Sequence, residues 1–113
     1  MNTQASLLDG RELRDQGMKR AVDHAELVYP DWKDQALAFL RGYAEMNKIF
    51  AAEDVRRASD GFVPEPPHLR AWGAVIVLAR KKGWIRQSGF IQVSNPRAHS
   101  ANAALWTSNI SDE

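Results

Sequence analysis

Three prolines fall within four residues at Pro64-Glu65-Pro66-Pro67. Each holds φ at about −65° and removes a backbone donor, so neither a helix interior nor a central strand passes through this point. With Phe62 and Val63 the segment forms a stiff, extended connector that aims the helix behind it. A proline-rich ligand for another protein is the alternative use of such a segment.

The residues before the connector carry helical patterns. Asp9-Gly10-Arg11-Glu12 has capping-box spacing and opens an expected helix over 11–28, behind a loose end at 1–8. Met18, Ala21, Val22, Ala25 and Val28 fall on one stripe of it, Gly17 weakens its first half, and Tyr29-Pro30 ends it. Asp31 is the expected cap of a second helix with Trp32, Ala36, Phe39, Leu40, Tyr43 and Met46 on its apolar face. Ile49-Phe50 has room for a very short strand. Residues 52–58 read as a short helix with acids first and arginines last, stopped by Asp60-Gly61. Behind the prolines a helix is expected over 68–82, ending at Gly83. Strand-forming residues follow at 84–93 and 103–108, around a polar, turn-rich loop at 94–102.

A length of 113 residues suits one compact domain, and the absence of cysteine excludes a disulfide scaffold, thiolate zinc sites and cysteine nucleophiles. The longest apolar run, 71–79, is interrupted by Gly73 and stopped by Arg80-Lys81-Lys82, too short to span a bilayer. Met1-Asn2-Thr3-Gln4-Ala5-Ser6 lacks the basic start and apolar run of a secretory signal. A soluble, cytoplasmic protein with no membrane contact is expected.

The net charge of +1 conceals an asymmetry. Residues 1–65 hold 12 acids against 9 basic residues, whereas 66–111 hold Arg70, Arg80, Lys81, Lys82, Arg86 and Arg97 and no acid. Asp112 and Glu113 then close the chain. A surface that meets a polyanion would exclude carboxylates in this way, because each would repel the phosphates. Chance in a segment rich in small and apolar residues is the alternative.

The succession helix, helix, short strand, short helix, turn, helix, strand, loop, strand resembles a winged helix-turn-helix domain preceded by an extra N-terminal helix. The segments that carry the likeness are Pro66-Pro67-His68-Leu69-Arg70-Ala71-Trp72-Gly73-Ala74-Val75, Gly83-Trp84-Ile85, Gly89-Phe90, Asn95-Pro96-Arg97-Ala98-His99 and Trp106. They resemble small winged-helix proteins of bacteriophages and prophages over about residues 31–108. The expected architecture is therefore mainly α with a small β-hairpin wing: a tail and helix over 1–30, the winged-helix domain over 31–108, and an acidic tail at 109–113.

That resemblance implies a DNA-binding protein of the bacterial host cytoplasm, an accessory factor in phage replication or transcription. The helix from His68 would enter the major groove of double-stranded DNA and the loop 94–102 would lie along the backbone. Lys81, Lys82, Arg86 and Arg97 would sit near phosphates, with Asn95 and Ser100 as neutral donors and His99 at a phosphate or the minor groove. Arg70 is the residue best placed for a base edge, since arginine bridges guanine O6 and N7. Each has an ordinary structural use too: Lys81 and Lys82 complement a helix C-terminus, Arg86 is solvated, and His99 holds its loop.

One departure favours a second reading. With Trp72, Val75 or Ile76, and Ala79 toward the core, Ala71, Ala74, Val77 and Leu78 would point outward or sideways, leaving few hydrogen-bond donors for base readout. An apolar outer face suits burial against a phage or host protein, a second copy, or the 11–28 helix. The alternative function is thus a protein-interaction module, a homodimer or partner binder, using Ala74, Val77 and Leu78.

No catalytic or metal signature competes with these readings, so no enzyme activity, cofactor or metal is expected. His24-Ala25-Glu26 matches half of a zinc-deaminase signature whose thiolates this chain lacks. His24, His68 and His99 are widely spaced, and no phosphate-cradling glycine loop or nucleophile elbow occurs. Asp31, Asp34, Glu53 and Asp54 suit helix N-termini. Trp72, Trp84 and Trp106, joined by Trp32, are expected as core anchors rather than stacking platforms.

Overall fold

The computed structural model describes residues 3–92 and 102–112, with side chains over 16–91 and 103–112. Its elements run α1 (Thr3–Val28), α2 (Trp32–Met46), β1 (Ile49–Ala51), α3 (Ala52–Ala58), α4 (Arg70–Lys81), β2 (Ile85–Gln92) and β3 (Asn102–Ser108). The fold is α+β, with helices around a small antiparallel sheet of order β1-β3-β2. Phe50 lies opposite Trp106, Ile85 opposite Ser108, and a register shift between Gln87 and Gly89 kinks β2.

The core forms where the apolar stripes meet. In α2, Trp32, Ala36, Leu40 and Ala44 recur every fourth residue and are all buried. They pack with Val22 and Ala25 of α1, Val55 of α3, Trp72, Val75 and Ile76 of α4, and Phe50, Ile85 and Trp106 of the sheet. The Trp32 indole stands edge-on to Trp72, with centroids 5.5 Å apart, and its N–H donates to the Pro64 carbonyl at 2.7 Å. That bond, with buried Val63 and Pro66, ties the proline connector to the core, so its stiffness fixes where α4 starts. Gly83, at φ 81°, ends α4 as expected, in a conformation that costs glycine nothing.

Several expectations are corrected. α1 begins at Thr3, so residues 3–8 are helical and Asp9 does not open the helix. Thr3 to Leu8 holds no helix breaker, and extending a formed helix gains one hydrogen bond per residue fixed. Val28 and Met46 are exposed, Met46 by 77%, because the ends of α1 and α2 run past the core. Ala71 is fully buried, and both Val75 and Ile76 are buried with it, because α1 as well as α2 packs on α4 and widens its inward face. Residues 109–112 lie against the domain: Asn109 N–H donates to Trp84 O, Asp112 N–H to Glu45 O, and Ile110 packs on the core.

The start of α2 also differs. Asp31 sits in the left-handed region at φ 66° and makes no side-chain capping bond. Glu26 of α1 takes that role, its carboxylate accepting the Lys33 N–H at 3.3 Å. An acceptor with negative charge at a helix N-terminus satisfies an orphan amide and complements the dipole. Glu26→Ala is expected to cost about 1 kcal/mol, within the usual range for a lost cap. The measurement is the urea midpoint at unchanged m-value, and an unmoved midpoint would remove the assigned role.

Candidate nucleic-acid interface

The turn that joins α4 to β2 is ringed by cations. Arg80, Lys81 and Lys82 close α4 and are exposed, and Arg86 follows on β2. The Arg86 guanidinium donates to Asn109 Oδ1, and Asn109 Nδ2 donates to Gly83 O at 3.0 Å, so Arg86 is held beside the turn. Lys82 Nζ lies 5.6 Å from the centre of the half-buried Trp84 ring. Arg41, arriving from α2, places its guanidinium carbon 5.4 Å from the same centre. Trp84 therefore packs partly buried against the core, as expected, and also seats two cations, whereas Trp32, Trp72 and Trp106 are buried within the core.

Neutralisation of this ring is slight. Among the described residues the ion pairs are Arg41–Glu45, Arg56–Glu53 and Arg57–Glu53, and none involves Arg80, Lys81, Lys82 or Arg86. The Arg41–Glu45 pair spans 4.0 Å with both side chains more than half exposed, a geometry worth a fraction of a kcal/mol. Among the described residues, Glu45 of α2 pairs with Arg41, and Asp112, after β3, reaches the Glu45 carbonyl through its backbone N–H. Macrodipole complementation by Arg80 and Lys81 remains a second use of the same charges.

The other sequence-expected residues divide. His68 is exposed, and its Nδ1 accepts the Arg70 N–H at 3.1 Å, so it caps the start of α4. Arg70 is exposed as well, but its side chain lies across α1: a Cβ placed on Gly17 would stand 2.9 Å from Arg70 Nη1. Asn95, Arg97, His99 and Ser100 lie outside the described residues. Arg41 and Arg80 were missing from the expected set. Arg80 stood in the same basic run as Lys81 and Lys82; nothing local in the sequence marks Arg41, because its partner Trp84 is distant in the chain.

The apolar side of α4 is met by α1. Met18 Cε would stand 3.0 Å from a Cβ on Gly73, so the missing side chain there is what lets the two helices approach. Ala74 packs on the core, and Val77 and Leu78 are half-buried. Of the three covers open to this helix, a partner, a second copy or the N-terminal helix, the N-terminal helix lies against it.

Other chemistry is sparse. Tyr43 stands edge-on to Phe50 at 5.2 Å, and burial, with the Asp54 carboxylate second, raises its phenol above the ordinary value. Among the described residues no three of His, Cys, Asp and Glu gather as a metal site, and no helix is long and apolar enough to cross a membrane. No protein-family model, curated protein or solved structure matches the chain.

Proposed function

We propose that this protein is a non-enzymatic winged-helix DNA-binding protein that holds duplex DNA by its phosphates, through the cations around the α4–β2 turn and the loop that follows β2. The succession α2-β1-α3-α4-β2-β3, with the returning strand β3 also pairing β1, supports the winged-helix assignment. The observation that carries the function is the turn itself: Arg80, Lys81, Lys82 and Arg86 stand exposed, unpaired with acids among the described residues, in a stretch from 66 to 111 without a carboxylate. Cations arranged in this way release counterions from a duplex, which is the main source of sequence-independent affinity.

The position of α1 shapes the mode of binding. With Met18 against Gly73 and the Arg70 side chain over Gly17, the first half of α4 is not free to fill a major groove. Base contacts by His68 and Arg70 therefore play a small part in this reading, and backbone contacts and duplex shape a large one. The same packing favours this reading over the protein-interaction alternative, since Ala74 packs partly buried against the core and α1 lies on the helix that Val77 and Leu78 belong to. An accessory role in phage replication or transcription, in a bacterial cytoplasm, follows from the family resemblance alone.

The test is a titration of the protein into fluorescent random-sequence duplex at 50 mM and at physiological salt, concentrations that bracket about a hundredfold change for a protein with about five phosphate contacts. A log–log slope of about −4 to −5 is expected if the turn neutralises roughly five phosphates. Absence of binding at the lower salt would overturn the reading and turn attention to protein partners.

A further inference from the structure

We infer that Arg41, held at the Trp84 ring that Lys82 also meets, adds a DNA-backbone phosphate contact from α2 to those of the α4–β2 turn. The inference rests on the proposed DNA-binding reading and adds to it a helix that the sequence pattern left out of the interface. Two like charges attracted to one indole repel each other, and the ring faces offset part of that repulsion. A backbone phosphate brought to either cation would lower that repulsion further. The phosphate's bond to the guanidinium or the ammonium is charge-assisted, the stronger class of hydrogen bond.

The competing groups are few. Arg41 is 62% exposed and reaches Glu45 across 4.0 Å from the next turn of α2, so exchange of that contact for a phosphate loses little. Lys82 and Arg41 both remain accessible while the indole limits their range. Trp84 is thus a positioning residue: it touches the two cations and holds them at one place, so less side-chain freedom is lost when a phosphate arrives. The Asp112 N–H donates to the Glu45 carbonyl, so the segment after β3 lies against this end of α2.

The experiment compares salt slopes for wild type, Arg41→Gln, Arg41→Lys and Trp84→Leu on one random-sequence duplex, with the Arg41 variants checked for an unchanged thermal midpoint and Trp84→Leu, whose ring packs on the core, measured well below its own midpoint. Arg41→Gln is expected to reduce the magnitude of the slope by about 0.9, the loss of one phosphate, whereas Arg41→Lys keeps it. Trp84→Leu lowers affinity severalfold, and combining it with Arg41→Gln lowers affinity by less than the product of the two effects, because both act through one site. An unchanged slope in Arg41→Gln, with wild-type binding intact, would overturn the inference and leave the DNA reading standing. Failure of wild type to bind at 50 mM would overturn both. Multiplying effects of Trp84→Leu and Arg41→Gln would overturn the positioning role. A free-anion site is separated by titrating inorganic phosphate without DNA at constant ionic strength: absence of saturable binding supports a backbone site, and saturable binding that Arg41→Gln removes overturns it in favour of a free-phosphate site.

Discussion

Replacing Trp32 with alanine is expected to remove about 3–5 kcal/mol of stability, the range for deleting a buried aromatic side chain. Three losses coincide at this residue. The side chain is wholly buried, so its removal leaves a cavity among Ala36, Leu40 and Trp72 that helix backbones are too rigid to fill. The edge-to-face contact with Trp72 goes with it. The Pro64 carbonyl also loses the indole N–H that pins the proline connector. A domain of this size has about 5–15 kcal/mol to lose, so the variant should be partly unfolded at physiological temperature. Trp32→Phe separates the terms, keeping an aromatic ring but orphaning the Pro64 carbonyl, for a smaller cost of about 1–3 kcal/mol. Urea unfolding followed by circular dichroism measures both. A shift below about 1 kcal/mol for Trp32→Ala would show that the connector is held by something other than this bond.

The contrast between Trp32 and Trp84 shows which parts of the fold are written locally. Trp32, Ala36 and Leu40 share a spacing of four, and any helix with that spacing must bury one face, so α2 and its inward residues were legible. Gly83 and the strand-forming run before Ser108 were legible for the same local reason. The cap of α2 was not: the local pattern pointed to Asp31, but the acceptor arrives from Glu26 on the preceding helix, a contact set by how α1 docks. His68 behaves similarly, since no local signal marks the contact by which its Nδ1 accepts the first amide of α4.

The candidate site was legible as charge and illegible as geometry. Absence of carboxylates from 66 to 111 is a property of the sequence, and it finds Lys81, Lys82 and Arg86 without a fold. Arg70 belongs to the same stretch, yet its side chain crosses α1 at Gly17. Its direction depends on where a weakly amphipathic helix lands, which no local pattern in 11–28 specifies. Arg41 joins the site only because α2 and the α4–β2 turn meet across Trp84.

Reversing Lys81, Lys82 and Arg97 to glutamate should abolish measurable duplex binding at physiological salt and should do so for every sequence alike. Nonspecific complexes dissociate at about 10⁻⁴–10⁻⁶ M under those conditions, so losing three phosphate contacts and adding three repulsive ones carries them out of range. At low salt, where residual binding is measurable, the slope should fall by about 2.7, or 0.9 for each contact. Lys81 and Lys82 stand exposed at the end of α4, so their reversal costs the fold little beyond the helix-dipole interaction, and an unchanged thermal midpoint checks this. Arg70→Ala provides the internal comparison. If α1 keeps this side chain off the groove, its removal leaves affinity and sequence preference nearly unchanged, whereas a base-reading arginine would lose about 1–3 kcal/mol at one position of the site. Relaxed sequence preference in Arg70→Ala would mean that α1 moves aside when DNA binds. Undiminished binding by the triple variant would remove the α4–β2 turn as the DNA surface, whatever Arg70 does.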